Sequence, residues 1–204
     1  MNENTHVLHK KKKNRGFSMV ELVVTTGIML MITSVVLVNH AAFGGNILVG
    51  ALAYDVGLSI RQAQVFGLSV REFGVGTGTF DIGYGVHFDI DSNTSYRIFA
   101  DVDKNNTFDV SDGTEEVFSI GQGFSIAKVC ATSVASIELC SDVDDISTLD
   151  ITFIRPDPDA LIRVNGDAAT VYQSARVVVR SPKGNERQVT VESTGQISIS
   201  QSQL

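Results

Sequence analysis

A run of apolar residues near the amino terminus constrains this chain more than any other feature. It extends from Phe17 to Val38 and contains one charged residue, Glu21. As a helix it would be roughly 33 Å long, which matches the thickness of a bilayer core. No soluble domain of this size needs a helix that is apolar on every face. The run therefore predicts a single membrane span, and Glu21 becomes a functional candidate because an unpaired carboxylate within a span is costly.

The charges are unevenly distributed, and this predicts the orientation of the span. Lys10 to Lys13 and Arg15 precede the apolar run, and the first sixteen residues carry a net charge of about +4. Positive residues beside a span are retained in the cytoplasm, so the rest of the chain is expected across the membrane. Because the whole chain carries −7, that remainder is strongly acidic. Such a body is a poor non-specific binder of nucleic acid.

Two other interpretations of the amino-terminal region stay open at this point. A secretory signal peptide would have a shorter apolar core, followed by a small-residue cleavage site. Here the apolar run is longer, and the small residue that stands out, Gly16, lies before it. The other alternative is an uncleaved single-span anchor in which Glu21 occurs by chance.

The residues on both sides of Gly16 carry a family resemblance. The sequence KKKKNRG ends at Gly16, and FSMVEL begins at Phe17. This arrangement resembles the class III signal of type IV pilins and type II secretion pseudopilins. In that family a prepilin peptidase cuts after the glycine, on the cytoplasmic side, and N-methylates the new first residue. The resemblance implies cleavage between Gly16 and Phe17, methylation of Phe17, and an assembly role for Glu21 at the fifth mature position.

The resemblance gives the carboxylate of Glu21 a partner. In the family this glutamate pairs with the N-terminal amine of a neighbouring subunit. A carboxylate buried in hydrocarbon is expensive, and an ammonium group from another chain offsets much of that cost. The span is therefore expected to drive assembly with other pilin or pseudopilin subunits as well as to anchor the chain.

The residues that follow the span predict a helix and then a sheet. From Asn46 to Glu72 the apolar residues keep helical spacing, whereas Gly44 and Gly45 weaken the continuity of the helix. From Phe80 onward the period changes to two, and short turns favour antiparallel pairing. Strands are predicted from Tyr84 to Ile90, Tyr96 to Asp101, Val117 to Ile126, Leu149 to Ile154, Ala160 to Val164, Ala175 to Arg180, Arg187 to Glu192 and Gln196 to Ser200.

The predicted fold class is α+β, with a long N-terminal helix packed on an antiparallel β-sheet domain, as in pilins. We divide the chain into a basic leader (1–16), a transmembrane and assembly helix (17–38), a second helical segment (39–73) and a globular β domain (74–204). The late pattern resembles the H-type pseudopilin and fimbrial T group. In that group two late strands meet at a glycine turn, here Gly184, and a last short strand follows a second glycine, here Gly195.

An acidic loop follows the second predicted strand and has the spacing of a calcium-binding loop. Counted from Asp101, oxygen-bearing residues fall at positions 1, 3, 5, 7, 9 and 12. Asn106 replaces the usual glycine at position 6, and position 12 is an aspartate instead of a glutamate. The alternative is a polar loop whose side chains form turns without a metal. The candidate ligands are Asp101, Asp103, Asn105, Thr107, Asp109 and Asp112.

The two cysteines and one histidine are the other candidates. Cys130 and Cys140 are ten residues apart, and outside the cytoplasm they are expected to form a disulfide. The alternative is a pair of free, buried thiols. His87 is expected on the polar, solvated face of its strand. No residue pattern places a histidine beside a nucleophile, so the sequence predicts that this is not an enzyme.

Basic residues near the carboxyl terminus raise a DNA-binding alternative. Some fimbrial T-like proteins bind DNA through such residues during uptake. Gln196 stands where an arginine after the glycine would support this role, and no aromatic residues alternate with the basic ones. We therefore expect a structural filament subunit, anchored once in the inner or cytoplasmic membrane with its globular domain outside, and a ligand- or DNA-binding minor pilin is the alternative. The basic residues concerned are Arg176, Arg180, Lys183 and Arg187.

Overall fold

The computed structural model describes residues 16–74 and 78–202, without the side chains of residues 38–44. The predicted basic leader lies outside the described residues, apart from Gly16. The chain divides into two compact units, residues 1–41 and residues 42–204.

A single helix, α1, extends from Met19 to Leu68 and contributes residues to both units. The sequence suggested a break at Gly44 and Gly45, but the helix is unbroken there. A glycine costs a helix only about 1 kcal/mol relative to alanine, which is less than the gain from burying the apolar face that follows. The helix ends at Leu68 rather than at Glu72, and the hydroxyl of Ser69 satisfies the carbonyl of Phe66 in the last turn (2.9 Å).

Within the described residues, ten strands form two antiparallel sheets. Sheet A has the order β3-β2-β1-β6-β7, and sheet B has the order β10-β9-β8-β4-β5. Their bounds are β1 (Gly83–Asp89), β2 (Ser95–Asp101), β3 (Gly113–Ser119), β4 (Ser125–Ser133), β5 (Glu138–Cys140), β6 (Thr148–Phe153), β7 (Ala160–Val164), β8 (Tyr172–Arg180), β9 (Glu186–Glu192) and β10 (Ile197–Gln201).

The main hydrophobic core of the second unit joins α1 to both sheets. Val56 and Ile60 of the helix pack there with Val86 of sheet A and with Val177 and Val189 of sheet B. On α1 the buried hydrophobic residues follow one another at intervals of four and three residues, which is the spacing of a single helix face. These buried helix residues are Val49, Ala53, Val56, Ile60 and Ala63.

The sheet domain departs from the prediction in two respects. We predicted one antiparallel sheet, and the structure has two. The predicted strand from Val117 to Ile126 is also divided between β3 and β4, because Gln122 and Gly123 adopt positive φ angles of 58° and 76° in a tight turn. The α+β class and the antiparallel pairing are confirmed.

Candidate functional site

The apolar segment of α1 is exposed along its whole length. It comprises Met19–Leu37, 19 residues with a mean hydropathy of 2.1, and none of it is buried. At 1.5 Å per residue it is about 28 Å long, so it is long and apolar enough to cross a membrane. Gly16 and Phe17 lie just before the helix, and the side chain of Phe17 is exposed. The predicted cleavage point is therefore outside any regular element.

The hydroxyl groups in this segment all bond to the backbone of their own helix. Thr25 donates to the carbonyl of Glu21 (2.9 Å), and Thr26 donates to the carbonyl of Leu22 (2.9 Å). Thr33 and Ser34 make equivalent bonds to carbonyls four and three residues earlier. Such bonds satisfy polar groups that lipid could not. Glu21 is the one charged residue of this described segment.

The second unit carries an apolar stripe on the outward face of α1. Ile47, Tyr54, Leu58 and Val65 are each more than half exposed, although they belong to the helix that also forms the core. Their spacing of seven, four and seven residues places them on one side of the helix. A helix with one apolar face buried and another exposed has a surface suited to a second helix or strand.

The acidic loop brings three of its predicted calcium ligands together. Carboxylate oxygens of Asp101, Asp103 and Asp112 lie within 4.8 Å of one another. The loop's own backbone already bonds to two of these groups. Asn105 and Asn106 donate their N–H groups to Asp101 at 3.1 Å, and Asp112 accepts the N–H of Val102 at 2.8 Å.

The remaining predicted ligands form local turns. The oxygen of Asn105 accepts both the N–H and the hydroxyl of Thr107 at 2.7 Å, and the carboxylate of Asp109 accepts the N–H of Ser111 at 2.7 Å. Hard oxygen donors suit Ca²⁺. These hydrogen bonds also account for the loop as a polar turn structure, which was the alternative interpretation. Calcium binding stays a prediction.

The carboxyl group of Asp101 is the most perturbed acid of the loop. Burial raises its pKa to about 6 from 3.8, with a smaller contribution from the nearby Asp112, although the N–H bonds from Asn105 and Asn106 act in the opposite direction. Between about pH 4 and pH 6 the folded chain therefore holds this proton more tightly than the unfolded chain does. The stabilisation from that proton is present at low pH and is lost as the pH rises through this window.

The raised pKa of Asp101 predicts that the thermal stability of the native chain and that of Asp101→Asn depend differently on pH. The variant cannot titrate at this position. We expect the melting temperature of the native chain to fall relative to that of the variant as the pH increases from 4 to 6. Thermal unfolding followed by circular dichroism at several pH values measures this difference. If the melting temperatures of the two chains changed in parallel with pH, Asp101 would have an ordinary pKa.

The prediction that His87 lies on a solvated face is wrong. It is only 8% exposed, and its Nδ1 lies 2.7 Å from Oδ1 of the buried Asp150. The ring of Phe108, from the acidic loop, covers it at 4.8 Å between centroids. The polar face of β1 is therefore buried, because the loop after β2 folds back over it. Burial raises the pKa of Asp150, and the hydrogen bond from His87 opposes that rise.

The sequence carries no local signal for this pair. The two residues are 63 positions apart, and they meet because the register of β1 with β6 places them opposite each other. Phe108 also makes an edge contact with Phe99 and lies under the guanidinium of Arg97. The pair and the ring together attach the acidic loop to the outer face of sheet A.

Cys130 and Cys140 form a disulfide, as predicted for a domain outside the cytoplasm. They are direct partners in the ladder between β4 and β5. The bond fastens the edge strand β5, which has only three residues, to its neighbour. A strand this short contributes few ladder hydrogen bonds, so the covalent link helps to hold it in place.

Arg176 and Arg180, two basic residues of the DNA-binding alternative, are engaged in ion pairs. Arg176 contacts Glu138 at 2.5 Å, and Arg180 contacts Glu186 at 2.6 Å. A guanidinium that is paired with a carboxylate is partly neutralised and is a weaker partner for phosphate. The structure thus adds no observation in favour of nucleic-acid binding.

No protein-family model, no curated protein and no solved structure matches this chain. The resemblance to pilins and pseudopilins therefore depends on the residues that carry it, chiefly Gly16, Phe17 and Glu21.

Proposed function

We propose that this chain is a membrane-anchored minor subunit, a pseudopilin or pilin-like protein, of a type II secretion or type IV pilus filament. One observation carries the proposal. The segment Met19–Leu37 is apolar, fully exposed and long enough to span a bilayer, and it contains one carboxylate in its first turn, Glu21. A membrane or a set of neighbouring helices is the environment in which such a surface is stable.

The carboxylate turns the anchor into an assembly element. In a lone subunit Glu21 carries the cost of a charge in or near hydrocarbon. After cleavage behind Gly16, the free amine of a neighbouring subunit's Phe17 supplies an opposite charge. Pairing then lowers the free energy of the assembled state relative to the dispersed state.

The globular unit is suited to the outer surface of such a filament. Its disulfide is typical of a domain exposed to an oxidising compartment. The outward stripe of Tyr54, Leu58 and Val65 offers a second apolar contact for neighbouring subunits. Assembly is the work of this chain, and the energy to extend the filament is expected from a separate cytoplasmic ATPase.

Processing by a prepilin peptidase tests this proposal. Co-expression of the full chain with the peptidase should remove Met1 to Gly16 and leave a methylated Phe17, because the cut follows the glycine. Intact mass and N-terminal sequencing measure both changes. Gly16→Ala should leave the leader attached, since the added methyl group blocks the close approach of the peptidase to the backbone.

The matched control is Gly27→Ala, a glycine inside the apolar helix with no atom within 4 Å of an added Cβ. It should be processed like the native chain. An unchanged mass of the native chain beside a peptidase that cuts a known substrate would contradict the proposed processing.

A further inference from the structure

Among the edge strands of the described residues, β10 is the one that carries no charged residue. β5 has three residues and a disulfide, and β7 carries Arg163. β3 carries Glu115, which is paired with Arg71, and Glu116, which is in none of the ion pairs among the described residues, so a partner with a positive charge can pair with its second half. β10, with the sequence ISISQ, has no charge, no proline and no bulge in its pairing with β9. Exposed edges of this kind readily accept an additional strand, and natural proteins usually block them with charges.

A groove lies beside this edge, between β10 and α1. It has a volume of about 670 Å³ and is lined by Tyr54, Leu58 and Arg61 of the helix and by Ile197 and Ile199 of the strand. A strand added to β10 would hydrogen-bond to its edge and direct alternate side chains into this groove. The groove is mainly apolar, and Arg61 and Asp55 place one positive and one negative charge in its wall.

The opposite flank of the same helix faces β3. Leu58 and Asp55, which line the groove beside β10, also line a smaller groove with Phe118 of β3. β10 and β3 thus lie on the two sides of one helix. Copies placed side by side, with their helices parallel, bring β3 of one copy towards β10 of the next.

The charges on the two flanks are complementary. Arg61 belongs to none of the ion pairs among the described residues, and its guanidinium donates a hydrogen bond to the side chain of Gln64. Glu116 of β3 is exposed and accepts a 3.3 Å hydrogen bond from Gln62. The start of β3 is flanked by Arg71, which contacts Glu115 at 2.7 Å. The part of β3 open to a partner therefore runs from Glu116 to Ser119.

We propose that the β10 edge and its groove receive the second half of β3 from another copy of this chain. The added strand would place Glu116 of one copy near Arg61 of the next and extend sheet B across the contact. Each copy then has one free β10 and one free β3, so the contact is heterologous and propagates as an open array. This inference rests on the proposed function, which supplies the parallel arrangement of anchored copies.

A symmetric contact between two β10 edges is the main competitor. Antiparallel pairing of β10 with itself would relate two copies by a two-fold axis and would close the assembly at a dimer. A symmetric contact would also leave Arg61 without a carboxylate from the partner strand. The two arrangements differ in which cysteine pairs cross-link.

The test uses the full chain in membranes and a short-spacer bismaleimide. Ile197 and Ile199 of β10 face the helix, and Glu116 and Phe118 of β3 do the same. Because side chains alternate along a strand, Ser198 and Val117 face the other way. In the extended sheet these two residues would therefore lie together on its outer face. A chain with both Ser198→Cys and Val117→Cys should give a ladder of dimers, trimers and higher species. The native cysteines are joined to each other and do not react.

Single-cysteine and misplaced-cysteine chains are the controls. Ser198→Cys alone should give no dimer, and a strong dimer would establish the symmetric contact and overturn the proposal. Ser198→Cys with Val143→Cys, an exposed site beside β5, should give no ladder. If this control chain cross-linked as strongly as the chain with cysteines at Ser198 and Val117, the cross-links would come from random collisions. That result would also overturn the proposal.

A charge exchange tests the ion pair itself. Arg61→Glu in the double-cysteine chain should remove most of the ladder, because two carboxylates would then face each other. Adding Glu116→Arg should restore it, with an unchanged melting temperature in both chains. A ladder that persists in Arg61→Glu, or that the second substitution fails to restore, contradicts the proposed pairing.

A cysteine in the anchor separates this inference from the proposed function. Val24→Cys lies in the exposed apolar helix and reports contact between neighbouring anchors. Anchor dimers without the β10–β3 ladder would overturn the proposed edge contact and leave the proposed function standing. If the processed chain in membranes gave neither the anchor dimers nor the β10–β3 ladder, the proposed function and the proposed edge contact would both be contradicted.

Discussion

Glu21→Ala should nearly abolish assembly while leaving the leader peptide removable. The substitution removes the carboxylate that pairs with a neighbour's N-terminal amine, and so leaves that amine uncompensated in hydrocarbon. Breaking a buried ion pair in this way costs about 3–5 kcal/mol, which corresponds to a loss of at least roughly 100-fold in association. Cross-linking between Val24→Cys positions in membranes measures the assembled fraction, and intact mass measures the processing.

Two further variants sharpen this experiment. Glu21→Gln keeps the shape of the side chain but not its charge, and it should fail like the alanine variant. Thr25→Ala lies one turn further along the same helix, where the hydroxyl bonds only to its own backbone, and it should assemble normally. Normal assembly of both Glu21 variants would show that the carboxylate has no role in the contact.

Gly67→Ala should severely destabilise the globular unit, because the helix lies against the backbone at the end of β6 there. A Cβ at Gly67 would lie 2.2 Å from the carbonyl oxygen of Phe153, and neither backbone can yield cheaply. We expect a loss of about 3–5 kcal/mol, in the range of the largest single-residue effects. Denaturant unfolding of the full chain in detergent measures it.

Gly50→Ala is the matched control in the same helix. No atom lies within 4 Å of a Cβ at this position, so the variant should be stabilised by about 0.5–1 kcal/mol through helix propensity alone. Equal stability of the Gly67→Ala and native chains would mean that α1 does not pack on β6 at this distance.

Features encoded by local sequence could be predicted. The apolar span follows from a continuous run of residues, and nearly every strand follows from alternation between turn residues. The disulfide followed from two cysteines and an expected compartment. The span and the strands depend only on residues that are near one another in the chain. The disulfide depends on the one pair that two cysteines can form.

Features that depend on long-range register could not be predicted. His87 looked solvated because it alternates with apolar residues on β1, and only the placement of β6 and of Phe108 buries it beside Asp150. The division into two sheets depends on which strands pair, and the alternating pattern does not specify this. Gly44 and Gly45 suggested a break because local propensity omits the packing that holds the rest of the helix.

The candidate site combines both kinds of information. Gly16, Phe17 and Glu21 were identified from the sequence, and α1 places the last of these in the first turn of an exposed apolar helix. The groove beside β10 could not be predicted, because it depends on how the last strand packs against Tyr54 and Leu58. The pattern of the acidic loop is visible in the sequence, whereas the burial of Asp101 is not.

The topology of the full chain in native membranes tests the central claim most directly. Val143→Cys places a thiol on an exposed site of the globular unit. A membrane-impermeant maleimide should label it in right-side-out membrane vesicles and not in sealed inverted ones, and alkaline carbonate should leave the chain in the membrane pellet. Recovery of the unprocessed chain in the soluble cytosolic fraction, or labelling only in inverted vesicles, would contradict the account.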